Sequence, residues 1–244
     1  MSRFKAVSFD AGGTLFHMGR PVGEVYSEFA SRYGRKTDPR ILEDEFRRLF
    51  NLRSADSADA GHLTPQDERK WWKSLVHELF HGGGETMADF DRFFDELHEY
   101  FAQPDLWKMY PDAGDTLEQL HRAGIKMAIV SNWDSRLPQL VSRMGVDRYM
   151  EAVVVSALEK TSKPDQRIFR IALEKLGMTG GEVVHVGDSL RDDINGALGA
   201  GMGAIWLRRP GEGHDADSGG KTAVSGSHYE VRDLAGAVRI ILGS

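Results

Sequence analysis

From Pro111 onward, short apolar runs alternate with amphipathic segments, and this alternation restricts the fold more than any other feature of the chain. Each run has the length of a buried strand, and the segments between the runs carry apolar residues at helical spacing. The runs cover residues 127–130, 152–155, 183–186 and 204–207, and residues 229–231 with a helix over 234–242 complete the core domain. Such alternation predicts a mostly parallel sheet with helices on both faces, so we expect an α/β fold with a doubly wound sheet.

A further apolar run near the N-terminus, within residues 7–15, ends in a carboxylate, Asp10, and two glycines, Gly12 and Gly13. The pattern predicts a buried strand whose last side chain reaches the crevice beyond the strand ends, where α/β sheets bind ligands. The glycines would allow a sharp turn and a close approach to a substrate. Taken alone, the same residues are equally compatible with an ordinary turn.

Residues 17–105 interrupt the alternation with helical periodicity alone, which predicts an inserted helical domain. Asp38 and Thr64 each precede a proline and are typical N-caps, and a further helix is expected from about Met87 to Phe101, after the glycine turn at 82–84. We therefore expect a core domain of residues 1–16 and 106–244 and a cap domain of residues 17–105. One later helix is expected to start at Asp193, and residues 208–227 are expected to form a mobile loop.

Composition narrows the function classes. The chain has 37 acidic and 31 basic residues and a net charge of -6, which argues against nonspecific nucleic-acid binding. It has no cysteine, which excludes disulfides, thiolate metal sites and a cysteine nucleophile. No apolar stretch has the length of a membrane span, and the first residues lack a signal-peptide pattern. We expect a soluble, cytoplasmic protein of undetermined oligomeric state.

Polar residues follow several of the predicted strands, and parallel strands would bring them to one edge of the sheet. They are Asp10, Thr14, Ser131, Asn132, Lys163, Asp188, Asp192 and Asp193. Carboxylates that meet there would repel each other without a cation between them, and oxygen ligands suit Mg2+. Lys163 adds a positive charge that could hold a phosphoryl group, and Asp10 could attack its phosphorus to form an aspartyl-phosphate.

Four segments together resemble the motifs of the haloacid dehalogenase-like (HAD) hydrolase superfamily, in order and over essentially the whole chain. The segments are FDAGGTL at 9–15, VSN at 130–132, SKPD at 162–165 and VGDSLRDD at 186–193. The resemblance implies a Rossmann-like core, and it implies that the helical insertion is a cap of the smaller helical type, which closes over the site and selects the substrate.

The resemblance also implies a role for each matching residue. Asp10 would be the nucleophile, Ser131 and Lys163 would hold the phosphate, and Mg2+ would bind Asp10, the carbonyl of Gly12 and Asp188. Either Asp192 or Asp193 would be a further metal ligand or a partner of the ligands; the spacing does not decide between them, and Asp193 is included in the expected metal site. The expected catalytic residues are Asp10, Thr14, Ser131 and Lys163, and the expected substrate-binding residues are Ser131, Asn132 and Lys163.

One position departs from the phosphatase pattern. Phosphatases of the superfamily usually carry a second Asp two residues after the nucleophile, which protonates the leaving oxygen, and this chain has Gly12 there. A phosphatase without that acid would rely on solvent, on a cap residue such as Glu24, or on a good leaving group. The alternatives are a 2-haloacid dehalogenase, which needs no such acid because halide leaves unprotonated, and a noncatalytic protein that binds a phosphorylated ligand or a partner.

The fourth segment favours the phosphatase. Dehalogenases of this type use no Mg2+ and, by resemblance, carry a Ser-Asn-rich segment there, whereas this chain concentrates negative charge at Asp188, Asp192 and Asp193. A phosphonate-cleaving relative also lacks the second Asp but requires an imine-forming cap lysine, and Lys36, Lys70 and Lys73 are more typical of solvated helix surfaces. We therefore expect Mg2+-dependent hydrolysis of a small phosphorylated substrate, with no nucleic-acid or membrane partner.

Overall fold

The computed structural model describes residues 3–56, 65–81, 87, 89–210 and 228–243, and its main element is a six-stranded sheet. In chain order the strands of the structure are β1 (Ala6–Phe9), β2 (Phe16–Met18), β3 (Trp107–Met109), β4 (Lys126–Ser131), β5 (Ala152–Val155), β6 (Val183–Gly187), β7 (Gly203–Leu207) and β8 (Tyr229–Val231). The large sheet has the spatial order β5-β4-β1-β6-β7-β8, and all of its neighbouring strands are parallel. The predicted α/β fold with a doubly wound sheet is confirmed.

The order of the strands places the ligand crevice beside β1. After β1 the chain adds β4 and β5 on one side, and it then returns to add β6, β7 and β8 on the other. In such sheets the crevice opens at the carboxyl ends of the strands where the order reverses. Side chains that follow β1, β4 and β6 are therefore brought to one place.

Contacts divide the chain into two compact units, one of Met1–His17 with Met109–Ser244 and one of Met18–Lys108. The sequence-based boundaries lie at 16/17 and 105/106. The second unit contains α1 (Val22–Arg32), α2 (Pro39–Asp56), α3 (Pro65–His81) and α4 (Phe90–Tyr100). Its core is rich in buried aromatic rings, among them Tyr26, Phe29, Phe80, Phe93 and Phe94. Burial of these large side chains gives the unit a hydrophobic core of its own.

The structure corrects two expectations in this region. Residues 17–105 are not entirely helical, because β2 pairs with β3 in a two-stranded sheet whose strands are too short to show a periodicity. Helix α4 begins at Phe90 rather than near Met87, because Asp89 has a φ of 54° and this left-handed conformation interrupts a right-handed helix. Thr64, the glycine turn at 82–84 and residues 211–227 of the predicted loop lie outside the described residues.

Helices pack against both faces of the large sheet. The remaining helices are α5 (Ala113–Arg122), α6 (Leu137–Arg143), α7 (Ser156–Glu159), α8 (Gln166–Leu176), α9 (Gly196–Gly199) and α10 (Leu234–Leu242). Helices α8 and α9 share a core cluster with Ala6, Ala128 and Val154, whereas α5 and α10 contact each other and the strands β4 and β7. No helix within the described ranges combines the length and hydropathy that a bilayer crossing requires.

The helical segment before α9 begins earlier than predicted. A π-helical stretch covers Leu190–Asn195, whereas the sequence pattern placed the start at Asp193. The hydroxyl of Ser189 accepts a hydrogen bond from the amide of Asp192 at 3.1 Å, so Ser189 is the N-cap. The earlier start turns Asp193 back toward the end of β6.

Asp112, just before α5, and Arg209, shortly after β7, form an ion pair that links several loops of the core unit. The two guanidinium Nη atoms of Arg209 donate to the carboxylate of Asp112 at 2.9 and 3.2 Å, and the amide of Leu234 donates to the same carboxylate at 2.8 Å. Arg209 also donates to the carbonyl of Thr14 at 3.0 Å and lies over the ring of Tyr110 at 3.7 Å. Burial acts to raise the pKa of Asp112, but Arg209 and the Leu234 amide lower it below its ordinary value.

Asp112→Asn is expected to lower the free energy of unfolding by about 1.5–3 kcal/mol, because it replaces a charge-assisted bidentate pair with neutral contacts. Since the folded pKa of Asp112 is depressed, its contribution is present above the ordinary carboxyl pKa and is lost as the pH falls through the folded pKa. The difference from wild type, measured by urea unfolding, should persist from neutral pH to about pH 5 and shrink below about pH 4. Asp115→Asn, at an exposed position in α5, the helix that follows Asp112, is the matched control, and an equal loss there would contradict the prediction.

Candidate active site

Three neighbouring strands deliver the central groups of the site. Asp10 directly follows β1, Ser131 ends β4, and Asp188 directly follows β6. In the sheet register Phe9 is level with Ile129 on one side and with Val186 on the other. The carboxyl ends of the three strands are therefore level, and Asp10 lies in the middle.

Lys163 joins two buried carboxylates. Its Nζ donates to Oδ1 of Asp10 at 2.6 Å and to Oδ1 of Asp193 at 2.6 Å. The side chain of Lys163 is 3% exposed, that of Asp10 11% and that of Asp193 1%. Because water is largely excluded, the charges interact strongly, and each depends on the others for compensation.

The charges within this group shift the pKa values in different directions. Burial would lower the pKa of Lys163, but Asp10 and Asp193 raise it above its ordinary value, so the ammonium stays charged. Burial would raise the pKa of Asp193, but Lys163 and His185 lower it well below its usual range. Burial, together with the charges of Asp193 and Asp188, raises the pKa of Asp10 to about 7 against the effect of Lys163. Asp10 therefore ionises near neutral pH unless further positive charge approaches.

A buried histidine in β6 contacts Asp193 of this group. His185 is fully buried in β6 and is level with Ser8 of β1 in the sheet register. Burial lowers the pKa of His185, so the ring is neutral. Its Nε2 lies 3.1 Å from Oδ1 of the ionised Asp193 and therefore carries the proton, and its Nδ1 accepts from the Ser8 hydroxyl at 2.8 Å. Sequence reasoning missed this pair, although a histidine in an otherwise apolar strand was a visible signal.

Asp188 completes a group of three carboxylates. One oxygen from each of Asp10, Asp188 and Asp193 lies within 4.8 Å of the others, a spacing that could hold a metal ion. Gly13 makes room for Asp188, because a Cβ at Gly13 would lie 2.4 Å from the Asp188 Oδ2 and the φ of Gly13 is 77°. Among the described residues the group contains Asp193 and not Asp192, whose carboxylate lies 3.8 Å from Arg191.

Ser131 and Asn132 occupy different environments. Ser131 is 2% exposed at the end of β4. The side chain of Asn132 donates to the carbonyl of Lys163 at 2.9 Å and accepts from the Lys163 amide at 2.8 Å. Asn132 was expected to bind substrate, and the structure shows both polar atoms of its side chain on the Lys163 backbone. It therefore helps to position the loop that carries the lysine.

Thr14 and Gly12 lie in the turn after Asp10. Thr14 is completely buried, and its hydroxyl has no hydrogen-bond partner within the part of the chain that the structure describes. Its predicted catalytic role stays a prediction. Gly12 forms an isolated parallel bridge with Phe16, which fixes the backbone of the turn that follows Asp10.

Comparisons with known proteins agree with this fold. A family model described as haloacid dehalogenase-like hydrolase matches residues 4–201. The chain is 31% identical over 201 residues to haloacid dehalogenase-like hydrolase domain-containing protein 3 of Mus musculus, covering 82% of this chain and 80% of that protein. It is similar to the crystal structure of a HAD phosphatase from Thermococcus onnurineus, with 28% identity, a TM-score of 0.65 and coverage of 98% of both chains.

The fold is also that of a dehalogenase. The L-2-haloacid dehalogenase from Xanthobacter autotrophicus has a TM-score of 0.74 at 23% identity, with coverage of 98% of this chain and 99% of that one. The similar structures thus include a phosphatase and a dehalogenase, so fold alone does not separate these activities. Because the family model extends over most of the sequence and the mouse relative matches most of its length, this chain belongs to the haloacid dehalogenase-like hydrolase family.

Proposed function

We propose that this hydrolase is a Mg2+-dependent phosphatase that transfers the phosphoryl group of a small phosphorylated metabolite to Asp10 and then to water. The observation that carries the proposal is the group of three carboxylates, whose oxygens lie within 4.8 Å of one another. Lys163 supplies one positive charge among them. A doubly charged cation would compensate the remaining two negative charges, and a site without it would hold them at a high electrostatic cost.

The donor set fits magnesium. Mg2+ prefers oxygen ligands in an octahedral array and usually retains several waters, so a few carboxylates and a carbonyl are sufficient. Asp10, Asp188 and Asp193 would hold the ion together with the carbonyl of Gly12. When bound, the ion would draw negative charge from the phosphoryl oxygens.

The other roles in the proposed reaction belong to side chains of the protein. An oxygen of the Asp10 carboxylate attacks phosphorus, which splits hydrolysis into two easier steps. The Lys163 ammonium, held 2.6 Å from Asp10, neutralises charge on the phosphoryl group, and the hydroxyls of Ser131 and Thr14 are proposed to orient it. His185 and Asn132 keep Asp193 and the Lys163 loop in place, so these charges need no rearrangement during reaction. The helical unit is proposed to select the substrate and exclude water as a closing lid.

A 2-haloacid dehalogenase is the second candidate, and the glycine at position 12 favours it. Halide departs without a proton, so a site that lacks an acid two residues after Asp10 loses nothing in that reaction. The same nucleophile would then attack carbon instead of phosphorus. The carboxylate group at Asp188 and Asp193 argues for the phosphatase, because carbon–halogen cleavage at Asp10 creates no need for a divalent cation.

Phosphate release is expected to require Mg2+. The metal-free protein, prepared with a chelator, should release little phosphate from p-nitrophenyl phosphate or acetyl phosphate, and added Mg2+ should restore release. The same preparation should release no halide from 2-chloropropionate. Halide release that continues in the chelator would replace the phosphatase with the dehalogenase. If both substrates stay intact while inorganic phosphate raises the melting temperature, the protein is a phospho-ligand-binding module.

The remaining parts of the proposal concern partners and location. A small anionic substrate fits an acidic chain that places a buried ammonium at its site, whereas a net charge of -6 disfavours nucleic acid as a partner. A cytoplasmic location is proposed from the sequence pattern, and it agrees with a composition without cysteine.

A further inference from the structure

The indole of Trp133 lies directly beside the position that the Cβ of a residue at position 12 would take. A Cβ built on Gly12 would be 3.1 Å from Cζ3 and 3.8 Å from Cη2 of the Trp133 indole. Apart from the adjacent residues 11 and 13, these two atoms are the ones in the described part of the chain that come within 4 Å of that position. The Cβ contact alone would require the indole or the turn to shift by a few tenths of an ångström, and a longer side chain on Gly12 would have to fit beside the ring.

The backbone of Gly12 does not itself demand glycine. Its φ lies outside the left-handed region, unlike that of the adjacent Gly13 at 77°. An L-residue at position 12 would therefore suffer no backbone strain of that kind, and the obstacle is the indole. The absence of an acid at position 12 is therefore linked to the side chain of Trp133, which lies 121 residues further along the sequence.

Hydrogen bonds hold the backbone of Trp133 on both sides of its Cα. Its amide donates to the hydroxyl of Ser156 at 3.1 Å, and the same hydroxyl donates to the Trp133 carbonyl at 3.1 Å. The amide of Ala157 also donates to that carbonyl at 3.4 Å. These contacts attach the backbone of Trp133 to the start of α7, and the half-buried side chain keeps part of its surface accessible.

We propose that Trp133 is a specificity-determining residue that replaces an acid beside Asp10 with an aromatic surface, and so selects aryl and acyl phosphates over alkyl phosphates. This inference rests on the proposed phosphatase function. The indole can pack against an aromatic leaving group, and it cannot deliver a proton to an alkoxide at neutral pH.

The chemistry of these substrates needs no acid in the first step. An Asp10 oxygen bonds to phosphorus while the bond from phosphorus to the leaving oxygen breaks, and its electron pair departs on a phenolate or carboxylate. Water then attacks phosphorus, the bond between phosphorus and Asp10 breaks, and its electron pair returns to the carboxylate. The proton from water passes to the released phosphate or to solvent. An alkoxide is a far less stable anion than a phenolate or a carboxylate, so alkyl phosphates would be hydrolysed slowly.

The test is a double-variant cycle with Mg2+ present, using Gly12→Asp, Trp133→Ala and the combination of both. Wild type should cleave p-nitrophenyl phosphate and acetyl phosphate well, phenyl phosphate less well and glycerol phosphate least. Gly12→Asp alone should gain little on glycerol phosphate because the indole blocks the new carboxyl. The combination should raise kcat/KM for glycerol phosphate by about 100-fold or more over either single variant, with little gain on acetyl phosphate. A gain from Gly12→Asp alone that equals the gain of the combination would overturn the proposal.

Trp133→Ala and Trp133→Phe keep the test decisive if the position-12 variants fail to fold. Loss of the ring in Trp133→Ala should raise KM for p-nitrophenyl phosphate by about tenfold and leave KM for acetyl phosphate unchanged, since acetyl phosphate has no ring to pack. Trp133→Phe retains an aromatic surface and should restore most of the aryl preference. Equal changes for both substrates would show a structural role only and refute the inference. If wild type itself cleaves none of the phosphates, the proposed function fails, which is a distinct result.

Discussion

Replacing Lys163 with methionine is expected to lower the free energy of unfolding by about 3–5 kcal/mol, because two buried carboxylates then lose their counter-charge. Lys163 Nζ lies 2.6 Å from an oxygen of Asp10 and 2.6 Å from an oxygen of Asp193, and its side chain is 3% exposed. Methionine retains an unbranched apolar stem that fills most of the same space. Loss of charge rather than loss of packing therefore dominates the result, which urea unfolding at neutral pH would measure.

Lys175→Met provides a matched control for this loss. Lys175 also pairs with a carboxylate in the core unit, Glu159 at 2.8 Å, but its side chain is 45% exposed. Solvent-exposed ion pairs contribute about 0–1 kcal/mol, so this variant should unfold close to wild type. If the two methionine variants lose the same stability, the buried carboxylates do not depend on the Lys163 charge.

Asp10→Asn is expected to lower phosphate release by at least ~10³-fold, because the amide oxygen is a poor nucleophile and removal of a covalent nucleophile is among the costliest changes in an enzyme. The measurement is kcat with p-nitrophenyl phosphate in saturating Mg2+. Asp192→Asn is the matched control, since Asp192 lies close in sequence to Asp193 but outside the carboxylate group. Residual activity of Asp10→Asn near that of Asp192→Asn would exclude Asp10 as the nucleophile.

The same variant should change the pH dependence of stability without metal. The pKa of Asp10 is raised from 3.8 to about 7 in the folded protein, so the folded state holds a proton that the unfolded state releases. As the pH rises from about 4 to about 7, the contribution of Asp10 to the free energy of unfolding of the wild type therefore falls. Asp10→Asn does not ionise and avoids this loss. In a chelator, the melting temperature of Asp10→Asn relative to wild type should be higher at about pH 8 than at about pH 5. An unchanged difference at the two pH values would contradict the raised pKa.

The fold of the core unit could be predicted from the sequence because the patterns that identify its strands and helices are local. Most strands of the large sheet are predominantly apolar runs, and the helices between them repeat their apolar residues at helical spacing. From β1 to β7, the parallel order of the sheet then follows from the helices that connect its strands. The two-stranded sheet of β2 and β3 could not be predicted, because three-residue strands show no period and their pairing joins segments far apart in sequence.

The candidate site was only partly accessible to sequence reasoning. The convergence of Asp10 and Asp188 follows from strand order, which the alternation predicts, whereas Lys163 comes from the loop between α7 and α8. The contact between Gly12 and Trp133 does not, because it depends on where one side chain extends beyond a strand end. Similarly, the sequence pattern left Asp192 and Asp193 as alternatives, and the early start of the π-helical stretch brings Asp193 to Lys163.

The hydrogen bond between Ser8 and His185 joins two adjacent central strands through their side chains rather than their backbones. An apolar residue at position 8 would leave a ring nitrogen of His185 without its donor, and an apolar residue at position 185 would leave the Ser8 hydroxyl buried and unsatisfied. Replacement of both by apolar residues of similar shape avoids either penalty. We therefore expect the two positions to covary during evolution, so that a lineage that abandons one polar partner soon abandons the other.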